Sequence, residues 1–421
     1  MDSEEFMDKK TFKGMIVSVG GAPSPIIFSL NNSRPDYICF FVSKESRKML
    51  EEEILPKLEF QPRLYDWIVT PNAELLSECY SSLAKKLPEI IEKWGFSPDQ
   101  ICVDYTGGTK TMSAALVLAT IEKSCFYSYV GGDERSKGGL GIVLDGKEKM
   151  YFRDNPWDEI ALAEKKEVSI LFNKARYASA VEVLEKCLAK VSKSQWVFLE
   201  ALKNMIKGYD FWDRFNHSDS KIYLFKSRDV LMALSSEKKE LEPLVKQMEE
   251  NLIFLQQLLQ NEKPSIFYFW DLLANAKRRA ELELKFDDAV ARLYRAMEVL
   301  GQLELKEKHK IDTSNVKENS LPEKIKEEFV CKYKNKQDGK IKIPLYASFE
   351  LLSNLGNPLG QRFVQAYEKE IKPLLNIRNF SILAHGFNPI KEETFAKLWE
   401  AVLQFSNTKE EDLPKFPFLS L

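Results

Sequence analysis

The segment that decides the fold is DYTGGTKT at residues 104–111, which joins an apolar run to a helical stretch. The run is Gln100–Tyr105 (QICVDY), typical of a buried strand, and the stretch is Thr111–Ile121 (TMSAALVLATI), typical of a buried helix. Two adjacent glycines at this junction allow backbone conformations that other residues avoid, and they let a ligand approach the main chain. The start of a helix also attracts anions, because its first N–H groups are unpaired and its dipole is positive there. Together with Lys110 and the neighbouring threonine hydroxyls, the segment predicts a turn that binds phosphate groups.

A second glycine pair, Gly20-Gly21, follows the apolar run Phe12–Val19. In open α/β sheets, ligands bind outside the carboxyl ends of the strands, where both glycine turns would lie. The GGTK spacing differs from that of a Walker A loop, which has a longer glycine spacing and ends in GK followed by Ser or Thr. A tight strand-to-helix turn without a ligand is the structural alternative.

Short apolar runs alternate with helical stretches up to residue 143. This alternation predicts an α/β domain with a mainly parallel sheet flanked by helices. Further strands are predicted at Tyr37–Val42, Asp66–Thr70, Cys125–Val130 and Leu140–Val143.

From about Asn155 onward, segments rich in Leu, Glu, Lys and Ala replace the strand pattern, which predicts an all-helical remainder. The segment NEKPS at residues 261–265 is predicted to break this remainder into two blocks. We therefore predict three domains, at residues 1–155, 156–264 and 265–421.

The last block is predicted to be helical throughout Ile266–Gln302 and again over Phe363–Ala384. Between these helices, roughly Lys306–Lys342 is rich in lysine and poor in apolar residues. We predict a mobile loop or insertion there, which either touches a phosphate backbone or is only solvated.

Composition limits the possible functions. The net charge of the 421 residues is −2 and the pI about 6.2, so nucleic-acid binding must depend on local sites. The polar start and the lack of a long apolar run predict a cytoplasmic protein without a signal peptide or membrane span. Neither disulfides nor a structural zinc site are expected, because the cysteines are scattered and form no CxxC pair. They are Cys39, Cys79, Cys102, Cys125, Cys187 and Cys331.

Of the three histidines, His385 has the most informative neighbours. Arg378 precedes it by seven residues, two helical turns, so both side chains face the same side if the helix persists to Gly386. Histidine transfers protons near neutral pH, and arginine stabilises charge on a phosphate. The structural alternative is a histidine that stabilises a helix end through the dipole.

Residues 12–150 resemble the CARF domain, the Rossmann-like sensor of CRISPR-associated proteins, through the Val19-Gly20-Gly21 turn and the segment DYTGGTKTM. The resemblance implies a domain that dimerises and binds a cyclic oligoadenylate across the two-fold axis. The implied activator is a tetra- or hexa-adenylate. By motif match, the implied ligand contacts are Ser18, Gly20, Gly21, Thr106, Gly107, Gly108, Thr109 and Lys110.

The segment RNFSILAH at residues 378–385 resembles the R-x(4–6)-H motif of HEPN ribonucleases, and the whole chain resembles the CARF–HEPN accessory ribonucleases of type III CRISPR systems. This family resemblance implies a homodimer whose two HEPN domains form one composite site. It also implies metal-independent cleavage of single-stranded RNA by the 2′-hydroxyl, leaving a 2′,3′-cyclic phosphate and a 5′-hydroxyl. His385 would transfer a proton or orient the nucleophile, Arg378 would stabilise the phosphorane, and Asn379 would position the phosphate. No cofactor is implied beyond the allosteric activator.

Three other functions are weighed against this one. A sensor joined to a metal-dependent nuclease would need carboxylates clustered on a sheet. A sensor-type transcription regulator would need a small basic helix-turn-helix module, whereas the helical half is long and nearly neutral. The remaining alternative is a nucleotide-binding regulator or sensor with a non-catalytic helical dimerisation domain.

Overall fold

The computed structural model describes residues 12–421 except 124, 133, 135–142, 144–145, 154, 157–161, 192 and 262–263. The chain divides into two compact units. The first contains the residues up to Lys165 together with Val183–Glu200, and the second contains Lys166–Glu182 and Ala201–Leu421.

A six-stranded sheet forms the centre of the first unit, with the strand order β3-β2-β1-β4-β5-β6. All neighbours are parallel except β5 and β6, which are antiparallel. The central strands β1 and β4 are buried along their whole length, because continuous apolar runs suit strands that are covered on both faces. The strands are β1 Gly14–Ser18, β2 Tyr37–Val42, β3 Leu64–Val69, β4 Ile101–Asp104, β5 Phe126–Gly131 and β6 Lys149–Arg153.

The predicted α/β architecture followed by helices is therefore confirmed. The antiparallel strand β6 was not predicted from the sequence. Residues 140–142 of the strand predicted at Leu140–Val143 lie outside the described residues. The helices of this first stretch of chain are α1 Ser24–Ser33, α2 Lys44–Met49, α3 Leu76–Trp94 and α4 Lys110–Thr120, with a π-helix at Leu50–Ile54.

From residue 162 onward the described elements are helices. They are α5 Leu162–Asn173, α6 Tyr177–Leu188, α7 Lys193–Asp213, α8 His217–Ser235, α9 Glu242–Gln260, α10 Ile266–Glu281, α11 Phe286–His309, α12 Glu323–Tyr333, α13 Leu345–Asn354, α14 Pro358–Ala366, α15 Lys372–Asn379 and α16 Glu392–Ser406, with a π-helix at Tyr367–Ile371. The core around α10–α16 includes stacked rings of Phe349 and Phe363, whose centroids are 3.9 Å apart. None of the described helices has both the length and the apolarity needed to cross a membrane.

Two predictions about the helices are wrong. The stretch Ile266–Gln302 is not one helix, because α10 and α11 fold back on each other through residues 282–285. This turn contains neither Gly nor Pro, and Leu284 adopts a positive φ of 57°, so the pattern gave no sign of a break. The helix predicted over Phe363–Ala384 is also interrupted, first by the π-helix and then at Asn379.

The prediction of a mobile loop at Lys306–Lys342 is wrong as well. The segment contains α12, and its apolar side chains, such as Ile325 and Phe329, are buried in the core of the second unit. Its lysines lie on the surface, where Lys334 pairs with Glu318 at 2.7 Å. The high charge therefore belongs to the outer face of a packed segment.

Candidate functional site

The two glycine turns lie side by side at the switch point of the sheet. Strands β1 and β4 are neighbours, and their turns follow the carboxyl ends where doubly wound sheets bind ligands. A Cβ atom on Gly20 would lie 2.3 Å from the backbone nitrogen of Gly108, and one on Gly107 would lie 2.3 Å from the carbonyl oxygen of Ser18. Both positions therefore require glycine, because the two main chains touch.

At one of these glycines the main chain is open to a ligand. Gly108 has a φ of +86°, which side chains rarely allow, and no atom lies within 4 Å of the position that a Cβ on Gly21 would take. Lys110 is exposed at the first position of α4, so its charge adds to the positive end of the helix dipole. The turns thus combine exposed main chain at Gly21 with the positive charge of Lys110.

Three hydroxyl groups that the sequence suggested as ligand contacts bind protein groups instead. The buried Ser18 donates to the carbonyl oxygen of Gly107 at 2.6 Å. Thr109 donates to the carbonyl oxygen of Ala73 at 2.6 Å and caps α4 by accepting from the N–H of Met112. Thr106 accepts from the backbone N–H of Val130 at 2.8 Å. These side chains therefore shape the turn.

Asp104 supports the turn from below, a role that the sequence analysis did not assign. Its carboxylate is fully buried and accepts hydrogen bonds from the Ser29 hydroxyl at 2.5 Å, the Ser128 hydroxyl at 3.0 Å and the Thr106 N–H at 2.9 Å. Burial raises the pKa of Asp104, while these hydrogen bonds oppose the rise. An acidic residue at the end of an apolar strand was the signal in the sequence.

The second predicted site lies just after α15. Contrary to the prediction, Arg378 and His385 do not lie on one helix, because α15 ends at Asn379. The chain instead turns back, so that the His385 N–H donates to the Asn379 carbonyl oxygen at 3.1 Å and Gly386 N–H to the Ser381 carbonyl oxygen at 3.1 Å. The loop therefore brings the backbone of His385 against that of Asn379.

The helix does not persist to Gly386, contrary to the expectation from the sequence. A Cβ atom at this position would lie 2.0 Å from the carbonyl oxygen of Phe380, so glycine is required by the close approach of two backbone segments. The loop that carries His385 depends on this contact.

The side chains of this loop are accessible. Asn379 and His385 are exposed, and Nη1 of Arg378 donates to Oδ1 of Asn379 at 3.2 Å. The guanidinium of Arg378 lies over the ring of Tyr294, 4.6 Å from its centroid. Its charge is available to a phosphate, because Arg378 forms no ion pair among the residues that the structure describes.

The other two histidines are less accessible. His217 is buried, and its Nε2 lies 2.8 Å from Oδ2 of Asp271, while His309 is half-buried. Within the described part of the chain, no group of three or more His, Cys, Asp and Glu side chains is arranged to hold a metal ion.

Large apolar side chains are exposed on this loop and on the last turn of α15. We call them the apolar patch; their exposed fractions range from 43% to 92%. The patch consists of Ile377, Phe380, Ile382, Leu383 and Phe387. Such exposed clusters are typical of surfaces that another molecule covers.

Comparison with known proteins gives two family matches in the helical part. Residues 160–255 match the Csm6 6H domain and residues 257–409 match the Csm6 HEPN domain, which together make up more than half of the chain. The second match includes Arg378, Asn379 and His385. No curated protein matches the chain.

Among solved structures, the fold is similar to that of Enterococcus italicus Csm6 bound to cyclic hexa-2′-fluoro-hexa-dAMP. The TM-score is 0.59 at 11% sequence identity, and the alignment covers 96% of either chain. The family matches and the shared architecture agree with the resemblance found in the sequence. The chain therefore belongs to the CARF–HEPN accessory ribonuclease family of type III CRISPR systems.

Proposed function

We propose that this protein is a metal-independent endoribonuclease that cyclic oligoadenylate activates and that cuts single-stranded RNA in the cytoplasm during CRISPR antiviral defence. The observation that carries the proposal is the loop after α15. It holds an exposed histidine beside an arginine whose charge no described carboxylate neutralises, within a segment that matches a HEPN domain.

The loop supplies the groups that transesterification needs. His385 moves the proton of the attacking 2′-hydroxyl or orients it, Arg378 stabilises the charge on the phosphorane, and Asn379 holds the phosphate. The products are a 2′,3′-cyclic phosphate and a 5′-hydroxyl, and DNA is not cut because it lacks the 2′-hydroxyl. The reaction needs no cofactor.

A second copy of the chain is the partner that covers the apolar patch. Most of the patch lies on the loop itself, so a symmetric contact through it brings two copies of Arg378 and His385 together in one composite site. The homodimer also creates the two-fold axis across which a cyclic oligoadenylate binds.

The activator binds at the two glycine turns. Gly20, Gly21, Gly107 and Gly108 offer main chain to phosphate groups, and Lys110 adds charge. Ser18, Thr106 and Thr109 contribute through their backbone and by holding the turn, since their hydroxyls already bind protein groups.

We assign residues 1–155 to the sensor domain, 156–264 to the connecting domain and 265–421 to the ribonuclease domain. The ring binds one conformation of the dimer better than the other and so shifts the population toward the cutting state. The ring is a tetra- or hexa-adenylate. A hexa-adenylate analogue is bound in the Enterococcus italicus protein of similar fold.

The test is cleavage of a fluorescent single-stranded RNA in EDTA by the full-length protein, with and without either ring. Wild type, His385→Ala and Asn388→Ala are compared, because Asn388 is an exposed residue of the same loop outside the motif. We expect one ring to stimulate wild type and Asn388→Ala, and His385→Ala to be inactive. Ring binding without histidine-dependent cutting would support the nucleotide-binding regulator with a non-catalytic helical domain instead.

A further inference from the structure

Arg378 is held by a contact from another helix. Its guanidinium carbon lies 4.6 Å from the centroid of the Tyr294 ring on α11, within the range of a cation–π interaction. Its other polar contact, with Asn379, is to the next residue along the chain and cannot fix the side chain against the rest of the domain. Nε of Arg378 is buried and has no hydrogen-bond partner among the described residues.

The ring of Tyr294 is well suited to hold a cation without neutralising it. Tyr294 packs half-buried against the core of the second unit. Burial, followed by the nearby Glu298 carboxylate, raises the pKa of its hydroxyl, so the ring stays neutral at physiological pH. Glu298 itself is paired with Arg295 at 3.0 Å.

A contact with the face of an aromatic ring differs from an ion pair in which N–H groups of the guanidinium it leaves unoccupied. A carboxylate would occupy the N–H groups at the edge of the guanidinium, which are the groups that bind phosphate oxygens. An aromatic face fixes the plane of the guanidinium without itself occupying those N–H groups. We propose that Tyr294 is a positioning residue, which orients Arg378 toward the phosphate of the RNA substrate. This inference rests on the proposed ribonuclease function.

Two substitutions separate this role from simple packing. Tyr294→Phe keeps the aromatic face, whereas Tyr294→Leu keeps an apolar side chain without it. Both are assayed as full-length protein on single-stranded RNA, with the activating ring at saturation. We expect Tyr294→Phe to remain within about twofold of wild type, and Tyr294→Leu to lose about tenfold in kcat with little change in KM, because the oriented guanidinium acts on the phosphorane.

A packing role predicts that any loss of kcat follows a matching loss of thermal stability, and either that result or equal kcat values for the Phe and Leu variants would overturn the proposal. A thermal midpoint is measured for each variant, and Tyr294→Met is a second apolar variant should Tyr294→Leu fail to fold. Arg378→Ala is run alongside. If Arg378→Ala is inactive but Tyr294→Phe and Tyr294→Leu have equal kcat values, the positioning role of Tyr294 is refuted and the proposed ribonuclease site stands. If Arg378→Ala cuts like wild type, the proposed ribonuclease site is wrong and the role of Tyr294 falls with it.

Discussion

A methyl group added at Gly20 tests whether the two glycine turns must touch. In the structure, a Cβ atom there would lie 2.3 Å from the nitrogen and 2.8 Å from the Cα atom of Gly108, both of them backbone atoms. Ordinary contact begins near 3.4 Å, so the turns must separate by about 1 Å. Forcing backbone apart in a packed region costs about 1–3 kcal/mol of the free energy of unfolding.

The neighbouring Gly21→Ala is the matched control for stability, because no atom lies within 4 Å of the added methyl group. Scanning calorimetry should show the midpoint of the first unit lowered by about 2–12 °C in Gly20→Ala. Gly21→Ala should change the free energy of unfolding by less than about 0.5 kcal/mol. Titration calorimetry with the activating ring should also show weaker binding to Gly20→Ala, since its turns no longer lie side by side. Equal midpoints for the two variants would refute this account of the turns.

Three further predictions concern other parts of the chain. Gly386→Ala should lower the RNA cleavage rate about 100-fold and leave ring binding unchanged, because the added carbon meets the Phe380 carbonyl and displaces the loop. Unchanged cleavage by this variant would contradict the prediction. Burial raises the pKa of Asp104 in the folded protein above its value in the unfolded chain, which is about 4. The stability that the Asp104 carboxyl contributes is therefore lost as the pH rises from about 4 through the folded-state pKa. Asp104→Asn should thus gain stability relative to wild type as pH rises, which denaturation curves measured at several pH values would show. A difference in the free energy of unfolding between the two proteins that stays constant across pH would contradict this prediction. Asn173→Ala should lower the free energy of unfolding in urea by about 1–3 kcal/mol, because the Asn173 side chain accepts from the N–H of Leu419 at 2.9 Å and donates to its carbonyl oxygen at 2.8 Å. No change would show that this contact is unimportant.

The sheet and its glycine turns could be predicted because their signals are local. Runs such as Tyr37–Val42 are apolar throughout, which suits strands covered on both faces, and Gly107-Gly108 directly follows one. The edge strand β6 lacks such a run, since its sequence KMYFR is polar at both ends.

The shape of the candidate catalytic loop could not be predicted from the sequence. The residues from Arg378 to His385 fit a helical pattern, but the loop depends on backbone contacts between Phe380 and Gly386 that no periodicity encodes. Pro373 lies just after the π-helix Tyr367–Ile371, where the helical hydrogen-bond pattern is already altered.

Contacts made far along the chain were equally hidden. The Thr109 hydroxyl, a reasonable ligand contact by motif, is bound to the carbonyl of Ala73, 36 residues away. The ring of Tyr294 under Arg378 likewise depends on how α11 and α15 pack. Motifs thus located the candidate sites, while the fold determines which of their groups remain free.

The central claim is that the loop after α15 cuts RNA with the help of the RNA's own 2′-hydroxyl. Mass spectrometry of the products, formed in EDTA at saturating activator, tests it most directly. The account predicts 2′,3′-cyclic phosphate and 5′-hydroxyl ends from wild type and no such ends from His385→Ala. Products with 5′-phosphate and 3′-hydroxyl ends, or equal yields from both proteins, would contradict it.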